Sequence, residues 1–126
     1  MSNQELIKYW FNSSKKDWEI VSTLMRSKSY MHALFFCHLS LEKYLKGMIV
    51  SGGEESPISH DLLLLAEKAK IKLTNKQTQL LSEVSAFNIK ARYDDYKNLF
   101  YKRATASFTK KYVSEVDKFK TWLKKQ

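Results

Sequence analysis

The chain is poor in the residues that make turns and crosslinks, with one cysteine, one proline and three glycines in 126 residues. A single cysteine, Cys37, cannot build a disulfide framework, and its occurrence inside an apolar segment suits a reducing compartment, so the cytoplasm is the expected location. With so little glycine and proline, a sheet of tightly turned hairpins is not expected. No purely apolar run exceeds the one from Leu62 to Ala66, far short of what crosses a bilayer. Residues 1–12 carry Glu5 and Lys8 and lack the continuous apolar core of a secretion signal. No membrane association is expected. What the chain does have is 44% hydrophobic and 13% aromatic residues, enough to bury one core. Residues 1–126 therefore read as a single globular domain.

Periodicity divides that domain into helices. Ser2 to Glu5 has the pattern of a capping box. Ile7, Trp10, Ser14, Asp17, Val21 and Leu24 then recur at steps of three and four, which predicts a first helix to about Arg26. Ser27 to Ser29 form a short connection. The second helix carries two apolar stripes, one through Met31, Leu34, His38, Leu41, Leu45 and Met48, the other through Ala33, Cys37, Ser40, Tyr44 and Gly47. A helix apolar on two sides needs two or more packing partners, so it belongs at the centre. Ser51-Gly52-Gly53 ends it. Pro57 and Ser59 predict a shorter helix to about Lys70. Thr74 to Gln77 is a second capping-box pattern, opening a helix whose Leu80, Leu81, Val84 and Phe87 face inward. Phe108, Tyr112, Val116, Phe119 and Leu123 mark the last helix. Short connections favour antiparallel neighbours, hence an all-α, up-and-down four-helix bundle with an additional short helix. The stretch Ile89 to Arg103 lacks clean periodicity, and its rings (Tyr93, Tyr96, Phe100, Tyr101) either cover the bundle end or face a partner or base.

Three short motifs stand out against this pattern. The second helix contains Glu42, Lys43, Leu45 and Lys46. His60, Asp61 and Leu62 open the third helix, and Ala91, Arg92 and Tyr93 close the fourth. With Asp17 on the inner side of the first helix, these pieces in this order resemble the HEPN domains over nearly the whole chain. The resemblance implies an HEPN-like bundle that dimerises. It further implies one of three roles: a metal-independent ribonuclease, the partner of a minimal nucleotidyltransferase in a toxin–antitoxin pair, or a module that binds nucleotides or mediates contacts without catalysis.

Ribonuclease members place an Arg and a His four to six residues apart, the imidazole moving a proton and the guanidinium steadying phosphate charge. Here Arg92 is present but residues 93–99 contain no His. Lys97, five places on, is a poor base because an ordinary lysine is protonated at neutral pH. The expectation is a non-catalytic, dimeric module that partners a minimal nucleotidyltransferase and takes a nucleotide or RNA phosphate at Lys43, Lys46, His60, Arg92 and Tyr93. A ribonuclease with an altered Arg/His site and a purely structural dimerisation bundle are the alternatives.

The remaining polar residues have plainer explanations. His38, on an apolar stripe, reads as a structural histidine bonded to Asp17 or Ser14 of the first helix. Glu42 and Lys46 have ion-pair spacing. On the most apolar helix an unpaired charge is costly, so pairing across to Arg92 or Asp17 is expected. His60, following Ser59 as helix cap, sits where free amides favour anions. No His or Cys pair has ligand spacing, so neither a metal nor a cofactor is implied. The net charge is +9, and eight of the basic residues lie between Lys102 and Gln126, which reads as a solvated helix face or an attraction for polyanions.

Overall fold

The computed structural model describes residues 1–93 and 98–126. Tyr96 and Lys97 lie outside the described residues. Among the described residues there are six helices: α1 Asn3–Arg26, α2 Tyr30–Ser51, α3 Leu62–Lys68, α4 Asn75–Arg92, α5 Leu99–Arg103 and α6 Ala106–Leu123. The described residues contain no strand, and the fold is the all-α bundle expected.

Local chemistry sets the boundaries. Ser2 accepts from the Glu5 amide at the start of α1, and Thr74 and Gln77 form a complete capping box on α4. Thr105 caps α6 by accepting from Phe108 N–H. Gly53, just past α2, has φ 89°, the left-handed turn for which glycine is the favoured residue. The third helix differs from expectation. It begins at Leu62, with Asp61 rather than Ser59 as its cap. Proline's missing N–H favours the first helical position, but Pro57 here lies in the loop before the cap. The described part of the irregular stretch contains the end of α4 and the one-turn α5, so among the described residues two short helices accompany the four long ones.

α2 is the axis of the molecule and touches every other helix. Ala33, Leu34, Cys37, Leu41 and Leu45 are fully buried, as its double stripe requires. α1 runs antiparallel to it, pairing Ser14 with Ser40 and Asp17 with Lys43. Gly47 of α2 makes room for the Phe11 ring of α1: a Cβ there would lie 2.9 Å from it. On the other side α4 and α6 run antiparallel, with Phe87 against Phe108 and Tyr112 donating to Glu83. Phe100 of α5 is buried on Phe87, whereas Tyr93 and Tyr101 are exposed. The described rings of this stretch, Tyr93, Phe100 and Tyr101, thus divide between core and surface. No described helix is long and apolar enough to cross a membrane.

Candidate functional site

Two of the motif residues, Lys46 and His60, gather around Glu42, which is 5% exposed. A buried carboxylate is costly unless several donors reach it. Lys46 donates to Oε2 at 3.2 Å, and His60 Nδ1 lies 2.8 Å from Oε1. Carboxylate oxygens accept, so His60 carries its neutral-state proton on Nδ1. Below it, His38 Nε2 lies 2.8 Å from the His60 carbonyl; a carbonyl only accepts, so this nitrogen is protonated too. His38 Nδ1 finds no hydrogen-bond partner among the described residues and stands 3.9 Å from Glu42 Oε1. Burial, the largest influence, holds the His38 pKa below its ordinary value despite the neighbouring carboxylate. His38 is a neutral strut.

Several expectations change at this point. His38 reaches neither Asp17 nor Ser14, because α2 turns it toward the segment before α3. Asp17 pairs instead with Lys43 at 2.7 Å, and Glu42 is satisfied by Lys46 and His60 rather than by Arg92 or Asp17. The first amides of α3 are not free for an anion either. Asp61 accepts from Leu63 N–H and Ser85 accepts from Leu62 N–H at 2.8 Å. Of the residues expected to bind an anion, Lys43 and Lys46 are therefore each matched by a carboxylate. His60 is tethered but half exposed. Arg92 and Tyr93 sit apart from that network, both exposed, with the guanidinium 5.6 Å from the Tyr93 ring centre. No described carboxylate pairs with Arg92.

A second polar cluster escaped sequence reasoning. Lys120 of α6 is 6% exposed and donates to Ser40 Oγ at 2.7 Å and Ser14 Oγ at 3.4 Å. The two serines are already locked: Ser14 Oγ donates to the Ser40 carbonyl at 2.6 Å and Ser40 Oγ to the Ser14 carbonyl at 2.9 Å. Trp18 and Tyr44 present ring faces to the ammonium at 5.4 and 5.6 Å. Desolvation lowers the Lys120 pKa to about 8, and Lys124 adds to the effect. Spacing held the clue, since Lys120 lies four residues after the core residue Val116. The basic run from Lys102 onward disguised it as surface.

The described residues form a small all-α bundle with paired charges along its central helix and an exposed Arg–Tyr pair near the end of α4. The family model for the HEPN domain matches residues 7–126, essentially the whole chain, and the chain belongs to that family. No curated protein and no solved structure gives a significant match. Among the described residues no group of three His, Cys, Asp or Glu side chains is placed to hold a metal ion.

Proposed function

We propose that the chain is a non-catalytic HEPN binding module, dimeric, that contacts a nucleotide or RNA phosphate through Arg92 and Tyr93. It would partner a minimal nucleotidyltransferase in a toxin–antitoxin-type system. The observation that carries the reading is the exposed Arg92–Tyr93 pair: a guanidinium uncommitted to any described carboxylate, lying over an aromatic ring. Such a pair suits phosphate and base stacking together. The module's three histidines lie elsewhere in the sequence, at positions 32, 38 and 60, so Arg92 lacks a proton-transfer companion at the ribonuclease spacing. Exposed Ile89, Tyr93, Leu99 and Tyr101 supply apolar area for a second copy or partner, and HEPN domains commonly dimerise.

Titration of a short single-stranded RNA at several salt concentrations tests the reading. Arg92→Ala should weaken binding and reduce the salt slope by about one phosphate contact. Tyr93→Ala should cost about 1–3 kcal/mol if a base stacks there. RNA should remain uncut by the wild-type protein. Cleavage abolished by Arg92→Ala would replace this reading with the ribonuclease one. A monomer at micromolar concentration in sedimentation would remove the dimer.

A further inference from the structure

His60 is held more firmly than an exposed loop residue requires. Its ring is fixed through Nδ1 to Glu42 at 2.8 Å, and its carbonyl is fixed by His38 Nε2 at 2.8 Å. Lys46, 7% exposed, holds the other oxygen of the same carboxylate at 3.2 Å. A buried carboxylate thus orients the imidazole, a buried histidine anchors its backbone and a buried lysine neutralises the carboxylate, although the His60 side chain is 55% exposed. Buried polar networks are costly unless complete; this one leaves His38 Nδ1 without a hydrogen-bond partner among the described residues and reaches the surface at the His60 ring, whose remaining nitrogen is Nε2. Second-sphere carboxylates orient functional imidazoles in this way.

The charges around it follow from these contacts. With His60 neutral, Glu42 and Lys46 cancel, and Nε2 presents a lone pair that repels an anion. When His60 takes up a proton, Nε2 becomes a donor and the cluster gains one positive charge at its exposed end. His38 is the poorer site for that proton, since burial disfavours its charged form. The other charged groups nearby are committed: Asp61 caps α3, and Asp17 and Lys43 pair with one another.

We propose that His60 is a proton-dependent anion contact, taking a phosphodiester oxygen at Nε2 while Glu42 holds the ring from behind. This inference rests on the nucleic-acid reading above and adds to it a second contact, with its own regulation by pH.

A short RNA is the suitable probe, because phosphodiester charge does not change between pH 5.5 and 8, whereas imidazoles titrate there. At fixed salt, the wild-type protein should bind roughly tenfold tighter at pH 5.5 than at pH 8, the size of one charge-assisted hydrogen bond. His60→Gln, at a half-exposed position, should fold and lose this pH dependence. Glu42→Gln, checked by thermal melt to be folded, should reduce it. Equal wild-type affinity at both pH values, with Arg92→Ala still weakening binding, would overturn the His60 contact and leave the Arg92 site standing. A pH dependence surviving in His60→Gln would also overturn it. Binding at neither pH would overturn both readings.

Discussion

Two lysines are buried on the flanks of α2, and the fold treats them in opposite ways. Lys46 and Lys120 are 7% and 6% exposed, and each has an indole face at 5.4 Å, Trp10 for one and Trp18 for the other. Lys46 has a carboxylate partner, Glu42, at 3.2 Å. Lys120 has only hydroxyls and rings, and its pKa falls to about 8. The difference lies in what each cluster leads to. The Glu42 cluster continues outward to the half-exposed His60, where a charge can be offered to a ligand. The Lys120 cluster leads nowhere and ties α6 to the α1–α2 crossing. Formal charges are paired where the network meets the surface, and a bare ammonium is tolerated where a tie is all that is needed.

The largest blow to this comparison is removal of Glu42. Glu42→Ala leaves Lys46 buried without its counter-charge and frees His60, so unfolding stability should fall by about 3–5 kcal/mol, the usual effect of breaking a buried pair. Chemical denaturation at neutral pH measures it. A loss below about 1 kcal/mol would place Glu42 with surface ion pairs and dissolve the contrast.

Lys120→Met should act in the opposite sense. The folded-state pKa of Lys120 lies below its ordinary value of 10.5, so folding disfavours the protonated form. That cost is fully present below about pH 8 and disappears as pH rises toward 10.5. A shift of this size corresponds to about 3 kcal/mol. Methionine keeps the stem's packing against Trp18 and Tyr44 and removes the charge. Lys120→Met should therefore be neutral or more stable by up to about 3 kcal/mol at pH 7, and its advantage should shrink between pH 8 and 10.5. Cys37, whose thiol burial pushes up to about 12 with Lys120 acting against that shift, gives the opposite slope above pH 9, so the shrinkage is read between pH 8 and 9. A clearly destabilised Lys120→Met would show that the hydroxyls and rings satisfy the ammonium after all.

Gly47 sharpens the contrast through backbone rather than charge. The Ser14–Ser40 lock and the Lys120 tie require α1 and α2 to approach closely, and a Cβ at position 47 would lie 2.9 Å from Phe11. Gly47→Ala should cost about 1–3 kcal/mol through overpacking. The matching test is whether Phe11→Leu, which shortens the obstructing side chain, recovers part of that loss by thermal melt.

Much of this architecture was legible in the chain, and the failures share one cause. Helix periodicity, the Thr74 and Ser2 caps and the double stripe of α2 are properties of contiguous sequence, and they located the long helices and the central one. Partners across space are not. His38 faces inward as its spacing says, yet nothing contiguous tells whether it meets α1 or the segment before α3. Asp61 and Ser59 are both competent caps, and Ser85 of α4 decides between them by accepting from Leu62 N–H. Lys120 was hidden by its neighbours' charge although its spacing from Val116 placed it inside. Arg92 and Tyr93 could be named from their motif, but their exposure could not.

The smallest expected effect on stability belongs to the exposed end of the Glu42 cluster. His60→Gln removes one contact to a carboxylate that Lys46 still neutralises, and the side chain is 55% exposed. Glutamine can also donate to Glu42. Stability should change by less than about 1 kcal/mol, near the worth of one hydrogen bond. The same variant should abolish the pH dependence of RNA binding. A large binding effect beside a small folding effect separates a contact residue from a brace. If His60→Gln instead destabilised the protein as much as Glu42→Ala, the imidazole would be part of the scaffold, and the two flanks of α2 would serve the same purpose.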